Sequence, residues 1–246
     1  MANFQAANLW RDAGSVFIAL GFALVVRTVA AEPFNVPSGS MIPTLLIGDT
    51  LIAGKYAYGF SKYSAPIGSV PDFLLPASKG RLLESPPERG DVIVFKLPRD
   101  PSENYVKRLI GLPGDSVKVE GGRLYINGTL VPRRETNTGG RSRRYVETLP
   151  GGRAHEIVEN SDRALHDNTA EYVVPQGHYF MMGDNRDNSL DSRVSAEHGG
   201  VGFVPSANLV GRVDRIMYSR DPAVSAWDLP ELLGSFRQGR FFAAVQ

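Results

Sequence analysis

Between residues 13 and 26 the chain carries no charged residue, and the apolar run continues past Arg27 through Thr28, Val29, Ala30 and Ala31. A bilayer span needs about 20 mostly apolar residues. The run therefore predicts a membrane anchor provided that Arg27 lies near one face and its side chain reaches the headgroups. A cleavable leader is the competing expectation, because Ala30-Ala31 before Glu32 suits a small-residue cleavage site. Against a leader, Arg11 is offset by Asp12 and no basic cluster precedes the run. Arg11 and Arg27 compete in setting orientation. We expect the residues before Asp12 inside the cell and everything after Glu32 outside it, in a single-pass arrangement.

The remainder reads as β structure. With 42% hydrophobic and 22% charged residues in 246, the chain is neither disordered nor polytopic. Its 26 Gly and 17 Pro favour short strands and turns. Phe34 and Val36 alternate between Pro33 and Pro37, a placement that suits an edge strand. Further strands are expected at 49–52, 91–97, 105–110, 116–119, 124–126, 129–131, 172–174, 179–182 and 209–217. Asn127-Gly128 supplies the positive φ angles of a type I′ hairpin. Residues 60–89, rich in Ser, Pro and Gly, read as an insertion. So does the polar stretch 133–168, whose Arg133, Arg134, Arg141, Arg143 and Arg144 suggest a solvated hairpin tip. The tail over 226–246 has enough Leu and Phe for one short amphipathic helix.

Composition also removes chemistries. A net charge of +1 gives no global attraction to nucleic acid. The absence of cysteine excludes disulfides, cysteine-ligated zinc and a thiol nucleophile. No G-x-S-x-G, H-E-x-x-H, Walker A or G-x-G-x-x-G pattern occurs. His155, His166, His178 and His198 show no ligand spacing and read as surface or turn residues.

Three segments carry candidate chemistry. In Pro37-Ser38-Gly39-Ser40-Met41-Ile42-Pro43-Thr44-Leu45, two hydroxyls flank a glycine. Such a turn can present one serine oxygen and leave N–H groups facing a substrate carbonyl. Alone, Ser-Gly-Ser is more often just a flexible loop. In Tyr105-Val106-Lys107-Arg108-Leu109-Ile110-Gly111-Leu112-Pro113-Gly114-Asp115, strand alternation puts Lys107 on a face with Tyr105 and Leu109. Val106, Arg108 and Ile110 face the other way. Loss of water lowers a lysine pKa by up to ~3–5 units, into the range of a general base. Gly183-Asp184-Asn185-Arg186-Asp187-Asn188-Ser189-Leu190-Asp191-Ser192-Arg193 resembles a calcium loop, but Ser192 and His198 stand where that loop needs Gly and Glu. It reads better as a bracing turn, with an Asp191–Arg193 ion pair and Ser189 holding a neutral lysine amine. A serine nucleophile without a histidine partner needs another base, and Lys107 is the candidate.

Taken together and in this order, P-S-G-S-M-x-P-T-L, Y-V-K-R-x-I-G-L-P-G-D and G-D-N-R-D-N-S-x-D-S-R resemble the bacterial type I signal peptidases, membrane-bound Ser/Lys proteases that remove secretory signal peptides. The resemblance runs from about residue 34 to 213, apart from the two insertions. It implies Ser40 as nucleophile, Lys107 as general base, and the Ser38 hydroxyl and Ser40 N–H as oxyanion donors. It also implies support from Ser189, Asp191, Arg193 and Arg108. The implied fold is a mainly antiparallel β-sheet catalytic domain over 32–120 and 176–225, an inserted β-rich subdomain over 121–175 and an N-terminal anchor over 1–31. The implied place is the bacterial inner membrane, catalytic domain outward. The partners are signal peptides of preproteins and the phospholipid bilayer, with no nucleic acid, cofactor or metal. Shallow pockets for small residues at −1 and −3 are implied too, and Val36, Leu45 and Val106, beside the dyad in sequence, are the expected walls, with plain core packing as their alternative role. The chain departs from the enterobacterial pattern in its single anchor, its lack of a cysteine pair and its extra 60–89 stretch. Two other readings are a self-cleaving Ser/Lys repressor of the LexA type, which needs a DNA-binding helix-turn-helix, and a non-enzymatic membrane-tethered β adaptor.

Overall fold

The computed structural model describes residues 14–15, 31–61, 63, 81–137, 142–225 and 228–245. The expected anchor lies outside the described residues apart from Gly14, Ser15 and Ala31. Among the described residues no helix is long and apolar enough to cross a membrane.

In chain order the strands are β1 (Ala31–Asn35), β2 (Asp49–Gly54), β3 (Phe60–Ser61), β4 (Arg81–Leu82), β5 (Val92–Leu97), β6 (Asp100–Gly111), β7 (Ser116–Glu120) and β8 (Arg123–Ile126). They continue as β9 (Thr129–Leu130), β10 (Arg133–Asn137), β11 (Arg143–Thr148), β12 (Ala154–Glu159), β13 (Tyr172–Val173), β14 (His178–Met182), β15 (Val204–Pro205) and β16 (Leu209–Ser219). One α-helix, α1 (Leu229–Gly234), follows among the described residues.

The main sheet has seven strands in the order β1-β2-β16-β5-β6-β14-β15, each antiparallel to its neighbours. β1 is the edge, where Pro33 leaves no ladder bond unmade in the interior. β5 lies in the middle and is buried at every residue but Lys96, which explains its unbroken apolar run. β1 and β6 are four places apart, about 19 Å in a flat sheet. Residues that follow β1 nevertheless meet β6, so the sheet curls over itself.

β7, β8, β9 and β13 form a second sheet in the order β13-β7-β8-β9. Here Asn127 and Gly128 adopt φ of 52° and 73°, the two-residue turn that their sequence predicts. This sheet straddles residue 120, because β7 pairs with both β8 and β13.

The polar stretch 133–168 is not a solvated tip. Its strands β10, β11 and β12 build a three-stranded sheet, with Tyr145, Leu149, Ile157 and Val158 buried. Arg133 stacks over the Tyr145 ring at 4.2 Å and donates to Asp162 at 3.0 Å. Spaced apolar residues among charges are enough for a sheet when the charges pair with each other, which composition alone hides. In the 60–89 insertion, only the ends are described. Arg81 joins them, its buried guanidinium donating to the carbonyls of Tyr58, Gly59, Ser206 and Leu209.

The expected tail helix is limited to α1. Beyond it the chain returns along β16, where Ile216 N–H donates to the Ala243 carbonyl (2.9 Å) and Val245 N–H to the Asp214 carbonyl (3.0 Å).

Candidate active site

Ser40 lies in the tight connection between β1 and β2. Val36 N–H donates to the Asp49 carbonyl and Gly48 N–H to the Val36 carbonyl, closing the base of this loop. The 183–193 segment grips it from the other side. Asn185 N–H donates to the Ser40 carbonyl (3.1 Å), and the Asn185 amide to the Gly39 carbonyl (2.9 Å). Gly183 makes that approach possible, because a Cβ there would stand 2.4 Å from the Ser40 carbonyl oxygen and 2.2 Å from Ser189 Oγ. Among the described residues Ser40 N–H donates no hydrogen bond.

Lys107 comes from β6. Its amine lies 2.6 Å from Ser40 Oγ and 5.5 Å over the Tyr105 ring centroid. Ser40 and Lys107 are both buried, at 8% and 4% exposure. Burial pushes the Lys107 amine down to about 8, with Asp191 and Asp184 opposing and Arg193 assisting. Desolvation thus outweighs two nearby carboxylates. About a tenth of the amines are then neutral at pH 7, rather than most of them.

Arg108, the next residue, points to the opposite face. Its guanidinium is fully buried, donating from Nε to Asp184 Oδ1 (2.8 Å), from Nη2 to Asp184 Oδ2 (2.7 Å) and from Nη1 to the Gly90 carbonyl (2.8 Å). Thr44 Oγ1 also donates to Asp184 Oδ2, at 2.6 Å. Burial opposes ionisation of Asp184, but Arg108 and these bonds hold its carboxyl below the usual range. Asp191 is likewise buried and likewise held low, through Arg193 at 2.9 Å and the Gly183 N–H at 3.0 Å.

Ser38 is exposed, its Oγ 3.4 Å from Ser40 Oγ. Ser189 is buried beside Gly183, but its hydroxyl makes no bond to Lys107 and instead helps hold the Asp191 carboxyl low. The expected Ser189–lysine bond is therefore absent, because the Ser189 side chain is turned toward the Gly183 backbone.

A cleft of about 570 Å³ opens over Ser40 and Lys107, walled by Phe34, Leu51, Val94, Val106 and Leu190. Of the three expected walls only Val106 lines it. Val36 and Leu45 are buried in a core cluster with Met41, Leu51 and Val213. Neighbours in sequence are not neighbours in space here: the turn aims these two side chains inward, while Leu51 and Val94 reach the cleft from β2 and β5, which flank β16.

His155 was expected at the surface and is instead buried in the core of the site's support. Its Nε2 stands 3.6 Å from Glu147 and 3.9 Å from Asp184, with neither ring nitrogen hydrogen-bonded among the described residues. Arg186 completes the group through a short, paired contact with Glu147. Burial pushes His155 down to about 4, so it is neutral at physiological pH. No sequence spacing signals this role. Asp184 and Asn185 lie in the polar 183–193 segment, where density of hydrogen-bonding groups was the available signal. Among the described residues no cluster of His, Asp and Glu could hold a metal ion.

The family described as "Signal peptidase, peptidase S26" matches residues 9–218. A signal peptidase I of Rickettsia typhi (strain ATCC VR-144 / Wilmington) is 42% identical over 220 residues, covering 84% of this chain and 78% of that protein. One of Rickettsia conorii (strain ATCC VR-613 / Malish 7) is 40% identical over 240 residues, covering 92% and 84%. A crystal structure of a signal peptidase I from Enterococcus faecalis V583 is 29% identical, covers 52% of this chain and 97% of that one, and superposes at a TM-score of 0.33, too low to bear on the fold.

Proposed function

The chain belongs to the signal peptidase family, peptidase S26, and is a serine peptidase that acts on signal peptides of preproteins; from that premise we propose that Ser40 attacks the scissile carbonyl while Lys107 takes its proton. The observation that carries this is the 2.6 Å approach of a buried lysine amine to a buried serine hydroxyl. Family membership also removes the repressor and adaptor readings.

In the neutral form the Lys107 amine accepts the Ser40 hydroxyl proton as the C–O bond forms. Charge develops on the carbonyl oxygen, where the Ser40 N–H and Ser38 hydroxyl are the available donors; one such donor is typically worth ~10²–10³ in rate. Lysine then passes its proton to the leaving amine, and the acyl-enzyme remains. Water, deprotonated by the same amine, releases the signal peptide. A peptide lying in the cleft displaces the last water from Lys107 and favours its neutral form further.

Asp184, Asp191, Arg108 and Arg193 act by fixing the loops that carry Ser40, with Ser189 filling the contact at Gly183. Phe34, Leu51, Val94 and Val106 make an apolar surface suited to small residues at −1 and −3. The apolar 13–31 run, interrupted only by Arg27, supports a single-pass anchor with the catalytic unit outside the inner membrane, so that the cleft meets signal peptides as they leave the bilayer. The domain division at 32–120, 121–175 and 176–225 belongs to the same proposal.

The test is cleavage of a preprotein carrying Ala-x-Ala by the detergent-solubilised full chain. Wild type is expected to cut after the second alanine, and Ser40→Ala and Lys107→Ala to leave it intact. Wild-type cleavage by either folded variant overturns the dyad.

A further inference from the structure

The C-terminal segment lies beyond the family match, which ends at residue 218. It is nevertheless tied to the loop that bears Ser40. Ala243 and Val245 pack against the core cluster that contains Met41 and Leu45, and the bonds to Asp214 and Ile216 fix the tail beside β16. From that position Arg240 donates Nε to Asp49 Oδ1 (3.0 Å) and Nη2 to the Thr44 carbonyl (3.0 Å). Arg237 Nη1 donates to the Ile47 carbonyl at 2.9 Å. The Asp49 carboxylate, with no exposed side-chain surface, also caps Leu46 N–H at 2.8 Å.

Thr44 is thus held from two sides. Its hydroxyl is bound by Asp184, which belongs to the brace, and its carbonyl by Arg240, which belongs to the tail. We propose that Arg240 is a positioning residue for Ser40: by joining Asp49 to the Thr44 carbonyl it fixes the turn that aims the serine oxygen. The proposal rests on Ser40 being the nucleophile. Arginine suits the task because its planar fork reaches a carboxylate and a carbonyl together, whereas a lysine ammonium is a point charge. A turn released at Thr44 drifts at Ser40, and a displacement near 1 Å is worth ~10²-fold in rate.

The experiment compares wild type, Ser40→Ala, Arg240→Ala, Arg240→Lys and Arg215→Ala as full chains in detergent on an Ala-x-Ala substrate. Arg215 is the control, since it ties the tail through the Phe242 carbonyl at 2.9 Å without touching the 40–49 loop. Arg240→Ala is expected to lower kcat at least about tenfold with KM within about twofold. Its pH midpoint is expected to stay near the wild-type value, because burial and the charges of Asp191, Asp184 and Arg193 set it, and Arg240 bonds to none of these groups. Arg240→Lys, which keeps the charge beside Asp49, is expected to fold as wild type and recover part of kcat; it carries the test where the alanine variant does not fold. Wild-type kcat in both Arg240 variants overturns the proposal. So does an equal loss in Arg215→Ala, or a failure of both Arg240 variants to fold, either of which makes the tail a stability element only. Cleavage by Ser40→Ala at the wild-type rate instead removes the nucleophile assignment, whatever Arg240 does.

Discussion

Lys107 and Arg108 are consecutive in β6 and face opposite sides of one sheet, the first toward Ser40 and the second toward Asp184. Strand alternation separates an amine that must lose its charge from a guanidinium that keeps its own. The arginine is neutralised by a bidentate carboxylate, while the lysine is buried beside a tyrosine ring at the floor of a cleft walled by Phe34, Leu51, Val94 and Val106. One strand therefore holds two cations in environments with opposite demands.

Cleavage should depend on pH through Lys107. With the amine at about 8, the active neutral form is lost as pH falls and gained as it rises. The rate is expected to climb roughly tenfold per unit below pH 8 and level off above it. A profile flat from pH 5 to 9, measured as kcat/KM, contradicts a lysine base.

Removing that lysine should stabilise the protein. The folded chain holds fewer protons than the unfolded chain between pH 8 and 10.5, so burial of the amine costs stability below pH 8 and the cost fades toward pH 10.5. A shift of that size corresponds to about 3 kcal/mol at most. Lys107→Met, inactive in cleavage, is expected to resist urea better than wild type at pH 7, with the gap closing toward pH 10.5. A less stable variant at pH 7 would mean that the amine is not under this strain.

His155 gives a dependence of the same sign at lower pH. It stays neutral down to about 4 in the folded chain but takes a proton below its ordinary 6.5 when unfolded. Its contribution to stability is therefore complete above pH 6.5 and is lost as pH falls toward 4, by up to about 3 kcal/mol. The difference in unfolding free energy between wild type and His155→Gln should narrow over that interval. An unchanging difference rules the buried neutral imidazole out.

Leu45 and Val106 should separate packing from selectivity. Leu45→Ala opens a core cavity and is expected to cost about 2–5 kcal/mol while leaving residue preference at −1 unaltered. Val106→Ala widens the cleft and should raise turnover of substrates with a larger −1 residue relative to alanine. If Leu45→Ala alters preference and Val106→Ala does not, the cleft walls are misassigned.

Most of the strand pattern was legible because alternation and Gly/Pro punctuation act locally: β5, β7, β8 and β14 lie within a residue or two of their expected ends. The same reasoning placed Lys107 on its face of β6. What escaped was set by distant contacts. β10, β11 and β12 owe their sheet to charges that pair across strands, as Arg133 does with Glu159. His155 is buried only because Arg108, Asp184, Glu147 and Arg186 surround it, four groups from three parts of the chain. The cleft walls Leu51 and Val94 come from β2 and β5, distant in sequence and separated in the sheet by β16.

At Gly183 the two halves of the candidate site come together around a missing carbon atom. Any side chain there would wedge the nucleophile's peptide away from its brace, by more than a rotamer change at Ser189 can absorb, since the nearer obstacle on one side is main chain. The angle at which the serine oxygen meets an incoming carbonyl is in this sense inherited from backbone contact. Evolution can vary the lining of the cleft with far more freedom than it can vary that one hydrogen atom.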